Sequence, residues 1–169
     1  MGNIKTNYIV KTAIIAALYA AVTILLAPIS YGPIQFRVSE VMVLLVFIDR
    51  KYLTGLVLGC FFANMLSQAG IYDMVFGTLA TLIALLGIVA IRKIFGDNLR
   101  SLFIASLSPV IVNGLIIGWM LSYLYQLPLM LTAFQVGIGE FGVVSILGVV
   151  LIKYILNNNK ILELIKIDD

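Results

Sequence analysis

Apolar positions in this chain run together in long stretches, and short polar clusters divide them into six segments. The first, residues 8–27, is about 20 residues, long enough to span a bilayer. It lacks a convincing cleavage site, so it is expected to stay as a membrane helix, ending at Pro28. The second, residues 34–48, has its apolar run from Val38 to Ile48 and stops at Asp49-Arg50-Lys51. As an α-helix that run is only about 17 Å long, against a hydrocarbon core of about 30 Å. Either it starts deep in the membrane or the preceding loop dips in to meet it. Both options place Gln35, Arg37 and Glu40 below the outer surface, where charge is costly and by default functional.

The remaining spans are expected at residues 53–69, 73–92, 101–124 and 131–154. Gly70-Ile71-Tyr72-Asp73 joins the third to the fourth, and the stretch from Arg92 to Arg100 is the longest polar connection. Pro109 predicts a kink in the fifth, and Tyr125-Gln126-Leu127-Pro128 a turn before the sixth. The Asn157-Asn158-Asn159 run and the tail beyond it are polar enough to predict frayed helix or disorder. The expected fold is all-α: one integral membrane domain over residues 1–169, built as a six-helix bundle.

Composition agrees. The chain is 62% hydrophobic and 11% charged, with mean hydropathy +1.13, whereas soluble domains carry about 25% charged residues. The net charge of +3 reflects loop placement rather than nucleic-acid binding, since no basic cluster is interleaved with aromatics. With both termini cytoplasmic, the inside segments collect Lys5, Lys11, Arg50, Lys51, Arg92, Lys93, Arg100, Lys153, Lys160 and Lys166, leaving Arg37 alone outside. The single cysteine, Cys60, excludes an internal disulfide and a cysteine-based metal cage. The absence of histidine removes Ser-His catalysis and His-ligated metals, so neither a catalytic centre nor a cofactor is expected.

Small and polar residues recur at helical spacing. Ala13, Ala17 and Ala21 form a strip with Ala16 and Ala20 beside it, either an internal packing face or a docking face for another membrane protein. Gly55, Gly59 and Ala63 line one row of the third segment, and Cys60, Asn64 and Gln68 another. Asp73 opens the fourth as an N-cap or a ligand contact. Asn113 lies in the fifth; Gln135 and Glu140 lie in the sixth. A carboxylate as deep as Glu140 costs about 2.5–3.5 kcal/mol on insertion scales, so it needs a partner, with Arg37 a candidate, or a function. Together Gln35, Arg37, Glu40, Asn64, Gln68, Asp73, Asn113, Gln135 and Glu140 suit a small polar molecule rich in donors, with Tyr31, Phe36 and Tyr72 available to stack on a planar ring.

Six short helices, the alanine strip and a loop leading to an outward polar pocket resemble the substrate-binding S-components of energy-coupling factor (ECF) transporters. The motifs Gln35-Phe36-Arg37-Val38-Ser39-Glu40, Gly59-Cys60-Phe61-Phe62-Ala63-Asn64, Asp73-Met74-Val75-Phe76-Gly77-Thr78, Val112-Asn113-Gly114 and Gly137-Ile138-Gly139-Glu140 resemble the QueT family of queuosine-precursor transporters. The resemblance implies an S-component in the cell membrane that binds queuine or another 7-deazaguanine from outside. It would then associate with a membrane T-component and two ATPase subunits. The chain has no phosphate-binding loop of its own, in keeping with that division of labour.

The implied site is Gln35, Arg37, Glu40, Asn64, Gln68, Asp73, Asn113 and Glu140, and the implied partner-binding residues are Ala13, Ala17 and Ala21 or the offset Ala16 and Ala20. Glu140 first, and Glu40 second, would grip the ring N–H and exocyclic amine of the guanine edge. Arg37 would meet the ring carbonyl or hold a glutamate, Asn64, Gln68 and Asn113 would complete the edge, and Asp73 would meet an aminomethyl substituent. Two other classes compete: an ion- or proton-coupled carrier titrating Glu140 or Asp73, and a membrane-embedded enzyme using an unusual Ser/Lys or Asp pair.

Overall fold

The computed structural model describes residues 2–32 and 34–167. Pro33, within the Tyr31–Glu40 stretch, and the side chain of Lys5 lie outside the described part. The described residues are helical with no strand. Four stretches are long and apolar enough to cross a membrane: Thr6–Leu25, Asp73–Phe95, Leu99–Tyr125 and Leu129–Leu156. Two apolar helices, Val38–Ile48 and Tyr52–Asn64, are shorter.

Helix α1 (Gly2–Leu25) gives way to a single turn, α2 (Ala27–Ser30), with Pro28 in its first turn, where a missing N–H leaves no hydrogen bond unmade. After the loop, Val38–Leu44 winds as a 3₁₀ helix and continues as α3 (Leu45–Ile48). The tighter winding rises about 2.0 Å per residue instead of about 1.5 Å, so the short segment reaches further than an α-helix of its length. It is the axis of the bundle: Val43, Leu44, Leu45, Val46, Phe47 and Ile48 are all buried.

Helix α4 (Tyr52–Asn64) lies along α1. The approach is close because the facing residues are small: a Cβ at Gly59 would stand 2.8 Å from Tyr19 Cβ and 2.9 Å from the Ala16 carbonyl oxygen. Residues Asp73–Gly77 form a π-helical turn that leads into α5 (Thr78–Phe95). Helix α6 (Leu99–Tyr125) starts at an Asn98 cap accepting from Ser101 N and runs as one helix through Pro109. Gln126, in the left-handed region at φ 54°, ends it. The last membrane-length stretch is α7 (Leu129–Glu140), a π-helical segment (Phe141–Gly148) and α8 (Val149–Leu156). Helices α5 and α7 both pack along α6.

The tail departs from the sequence expectation. Asn158 caps α9 (Asn159–Ile165), and the segment after it docks instead of fraying. Ile167 is buried, its N–H donates to Asp49 Oδ2 at 3.2 Å, and its carbonyl accepts from Lys51 Nζ at 2.9 Å. Lys11 Nζ donates to the Lys166 carbonyl at 2.6 Å, and the Tyr52 hydroxyl to that of Ile165. Apolar side chains of Ile161, Leu162 and Ile165 join the core beneath, which outweighs the polarity of the asparagine run.

Candidate functional site

The loop after α2 is seated by a backbone-to-backbone contact. Any Cβ at Gly139 would collide with the Ile34 carbonyl oxygen, so only glycine lets the loop lie this close to α7. Gln35 then turns through the left-handed region at φ 54°, a conformation that is uncommon for a non-glycine residue and gathers at functional sites. The turn points the next residues inward: Gln35, Arg37, Ser39 and Glu40 are all buried.

A cavity of about 270 Å³ opens at this end of the bundle, lined by Tyr31, Gln35, Ser67, Gln68, Asp73, Tyr125, Leu127 and Thr132 among others. Arg37 lies behind it, with Nη2 3.6 Å from Asp73 Oδ1 and its guanidinium 5.4 Å from the centre of the Tyr31 ring. Tyr31 is held by its hydroxyl on the Ala63 carbonyl at 2.6 Å. Asp73 also accepts from the Ser67 hydroxyl, and its carbonyl accepts from Asn64 Nδ2 at 3.0 Å. The sequence allowed Asp73 as an N-cap; in the structure its side chain caps nothing and belongs to the cavity wall.

Each buried glutamate has one oxygen held by a neutral donor. Glu40 Oε1 accepts from the Tyr19 hydroxyl, and Glu140 Oε1 accepts from Asn113 Nδ2 at 2.9 Å. The ion pair considered between Arg37 and Glu140 is replaced: the arginine comes from the loop beside α4 and α5, and Asp73 is the carboxylate it meets. Arg37 Nε, Glu40 Oε2, Asn64 Oδ1, Asp73 Oδ1 and Glu140 Oε2 are buried without a hydrogen-bond partner.

The predicted residues thus fall into two tiers. Gln35, Gln68 and Asp73 line the cavity; Arg37, Glu40, Asn64, Asn113 and Glu140 are buried and do not line it. Gln135 is half-buried and does not line it. Of the three aromatics only Tyr31 reaches the cavity: Tyr72 is exposed elsewhere, and Phe36 packs at Gly142. Tyr125 and Ser67 were not singled out from sequence, nor were Tyr19, which holds Glu40, and Thr23, whose hydroxyl bonds the Tyr19 carbonyl at 2.8 Å and Ser39 at 2.6 Å. The available signal was Tyr19 and Thr23 one turn apart on the first helix.

The alanines also divide. Ala16 is buried against Gly59 and Ala20 is half-buried, so these two pack inside the bundle, whereas Ala13, Ala17 and Ala21 are exposed. The correction for Ala16 follows from the small residues of α4, which draw that face of α1 inward. Among the described residues no cluster of His, Cys, Asp and Glu is arranged to hold a metal ion.

The chain matches the QueT transporter family over residues 9–157. It is 35% identical over 149 residues to the queuosine precursor transporter QueT of Lactococcus lactis subsp. cremoris (strain MG1363), covering 83% of this chain and 88% of that protein. No solved structure matches. With apolar helices of membrane length around a buried polar site, this chain is a membrane transporter rather than an enzyme, and it belongs to the QueT transporter family.

Proposed function

We propose that the chain is the substrate-binding S-component of an ECF-type importer in the cell membrane, taking up queuine or another 7-deazaguanine base. The observation that carries the reading is the group of buried atoms without hydrogen-bond partners on Arg37, Glu40, Asn64, Asp73 and Glu140, contributed by the 31–40 stretch, α4, the π-helical turn before α5 and the end of α7. Buried polar groups are ordinarily paired, and a group that is not calls for an explanation such as a ligand. A flat heterocycle rich in N–H donors answers it, because the spare atoms are mostly oxygens. The base enters past Tyr31 and Gln35; Glu140, with Glu40 second, accepts from the guanine edge, and Asn64, Gln68 and Asn113 complete it.

In this reading all six apolar segments lie within the membrane, with both termini cytoplasmic. The basic residues near Asp49, Arg92 and Lys153 would face inward and the cavity outward, in keeping with the positive-inside bias. The exposed Ala13, Ala17 and Ala21 strip receives the T-component, and two partner ATPases supply the driving force.

Titration of the purified protein with queuine, its two precursors and guanine tests the substrate. Tight binding of the deaza bases is expected, and guanine binding equally tightly would redirect the assignment to purines. Reconstitution with the ECF subunits tests the coupling: uptake should require ATP. Proton-driven uptake by the chain alone in liposomes would establish the carrier instead.

A further inference from the structure

A second cavity, of about 400 Å³, lies at the basic end, between the end of α3 and the last turns of α5. Val46, Ile48, Val89, Arg50, Arg92 and Lys93 line it. Arg92 is fixed there: its Nη1 donates to the Ile48 carbonyl at 2.9 Å, and its guanidinium lies 5.5 Å from the centre of the Phe47 ring. That contact leaves the N–H groups of Nε and Nη2 for a ligand. Among the described residues none of the three cations forms an ion pair. Asp49, also on the wall, has both oxygens taken by the backbone N–H groups of Lys51 and Ile167. The C-terminal end of α5 adds about half a negative charge, so the cavity stays cationic.

The same place borders the lipid-facing surface. Ile83, Leu86, Ala90 and Lys93 recur at helical spacing on one face of α5, and all four are exposed. The face is apolar until Lys93 ends it. We propose that this cavity holds the phosphate of an anionic membrane lipid, whose acyl chain lies along Ile83, Leu86 and Ala90. Arg92 presents a pre-set fork of donors to the phosphate oxygens, and Arg50 and Lys93 add charge beside it. Basic pockets at the ends of membrane helices suit such headgroups, and each basic residue strengthens the attraction. A zwitterionic headgroup brings its own cation to a cavity that already holds three. A soluble phosphate offers the same oxygens but gains nothing from the apolar face. The inference is independent of which base is transported.

The test titrates the purified protein, in neutral detergent, with short-chain phosphatidylglycerol, short-chain phosphatidylcholine and inorganic phosphate, read by native mass spectrometry. Phosphatidylglycerol should saturate one site and bind roughly 10- to 100-fold tighter than phosphatidylcholine. Arg92→Gln should bring the two lipids within about threefold of each other. The Arg50→Gln/Lys93→Gln double variant should do the same, and it leaves the Ile48 contact intact if Arg92→Gln does not fold. Lys160→Gln removes a charge from an exposed position on α9 outside the cavity, and should keep the preference within about twofold. Equal binding of the two lipids by the native protein overturns the inference. A loss in Lys160→Gln as large as in the cavity variants means diffuse surface charge and also overturns it. A preference kept in full by the cavity variants overturns the site. Inorganic phosphate that competes as well as the lipid overturns the assignment to a lipid.

Discussion

The two ends of this bundle treat their less exposed charged groups in opposite ways. At the basic end they close on one another. Both Asp49 oxygens accept backbone N–H groups, from Lys51 and Ile167, and Lys51 and Lys11 donate to carbonyls of the C-terminal segment. Arg92 donates to the Ile48 carbonyl at 2.9 Å while its guanidinium lies over the Phe47 ring. At the cavity end the groups are more deeply buried, yet each acid keeps a spare oxygen and Arg37 a spare N–H. Satisfied polar groups rigidify a fold, and buried unsatisfied ones are unstable unless something binds them. For these groups, the first end reads as structure and the second as recognition.

That contrast can be broken by exchanging the consequences of mutation between the ends. Glu140→Gln carries the largest expected effect: affinity for the base should fall roughly 10- to 100-fold, because a charge-assisted pair of N–H bonds is lost. Calorimetric titration reads it, and an unchanged affinity would remove Glu140 from the site. Tyr19→Phe should weaken binding about 10-fold by freeing Glu40 from its hydroxyl, with little added loss in the Tyr19→Phe/Glu40→Gln double variant. Full additivity would mean that Tyr19 acts by some route other than Glu40.

Ala17→Trp sharpens the picture along α1. Base binding should stay within about twofold, since the side chain points away from α4, while ATP-driven uptake with partners falls to background. Uptake at the native level would move the docking face elsewhere. The smallest effect on binding is expected from Asp49→Asn, where an amide replaces an oxygen that accepts the Ile167 N–H. Stability should drop by about 1–2 kcal/mol and affinity should not move. A binding defect matching that of Glu140→Gln would erase the distinction between the ends.

Much of this was visible in order along the chain. Apolar runs broken by charge mark the four membrane-length helices, and Glu140 and Arg37 stood out because an ionisable residue between apolar runs is rare. The tail was misjudged because its polarity was read locally, while its stability comes from Asp49 and Lys51, more than a hundred residues earlier. The role of Tyr19 was hidden for the same reason: a tyrosine in an apolar helix is unremarkable until Glu40 is placed against it.

The sequence alone determined the class of molecule, the four membrane-length helices and the residue types available for binding, since insertion energy depends on composition summed over a segment and hardly on neighbours. Only the folded arrangement decided the pairings: Arg37 with Asp73, Glu40 with Tyr19, Glu140 with Asn113, and Ala16 in while Ala17 faces out. Hydrogen bonds and ion pairs act over a few ångströms, and which groups come within that reach is set by how the helices cross, through contacts such as Gly59 on Tyr19 and Gly139 on Ile34.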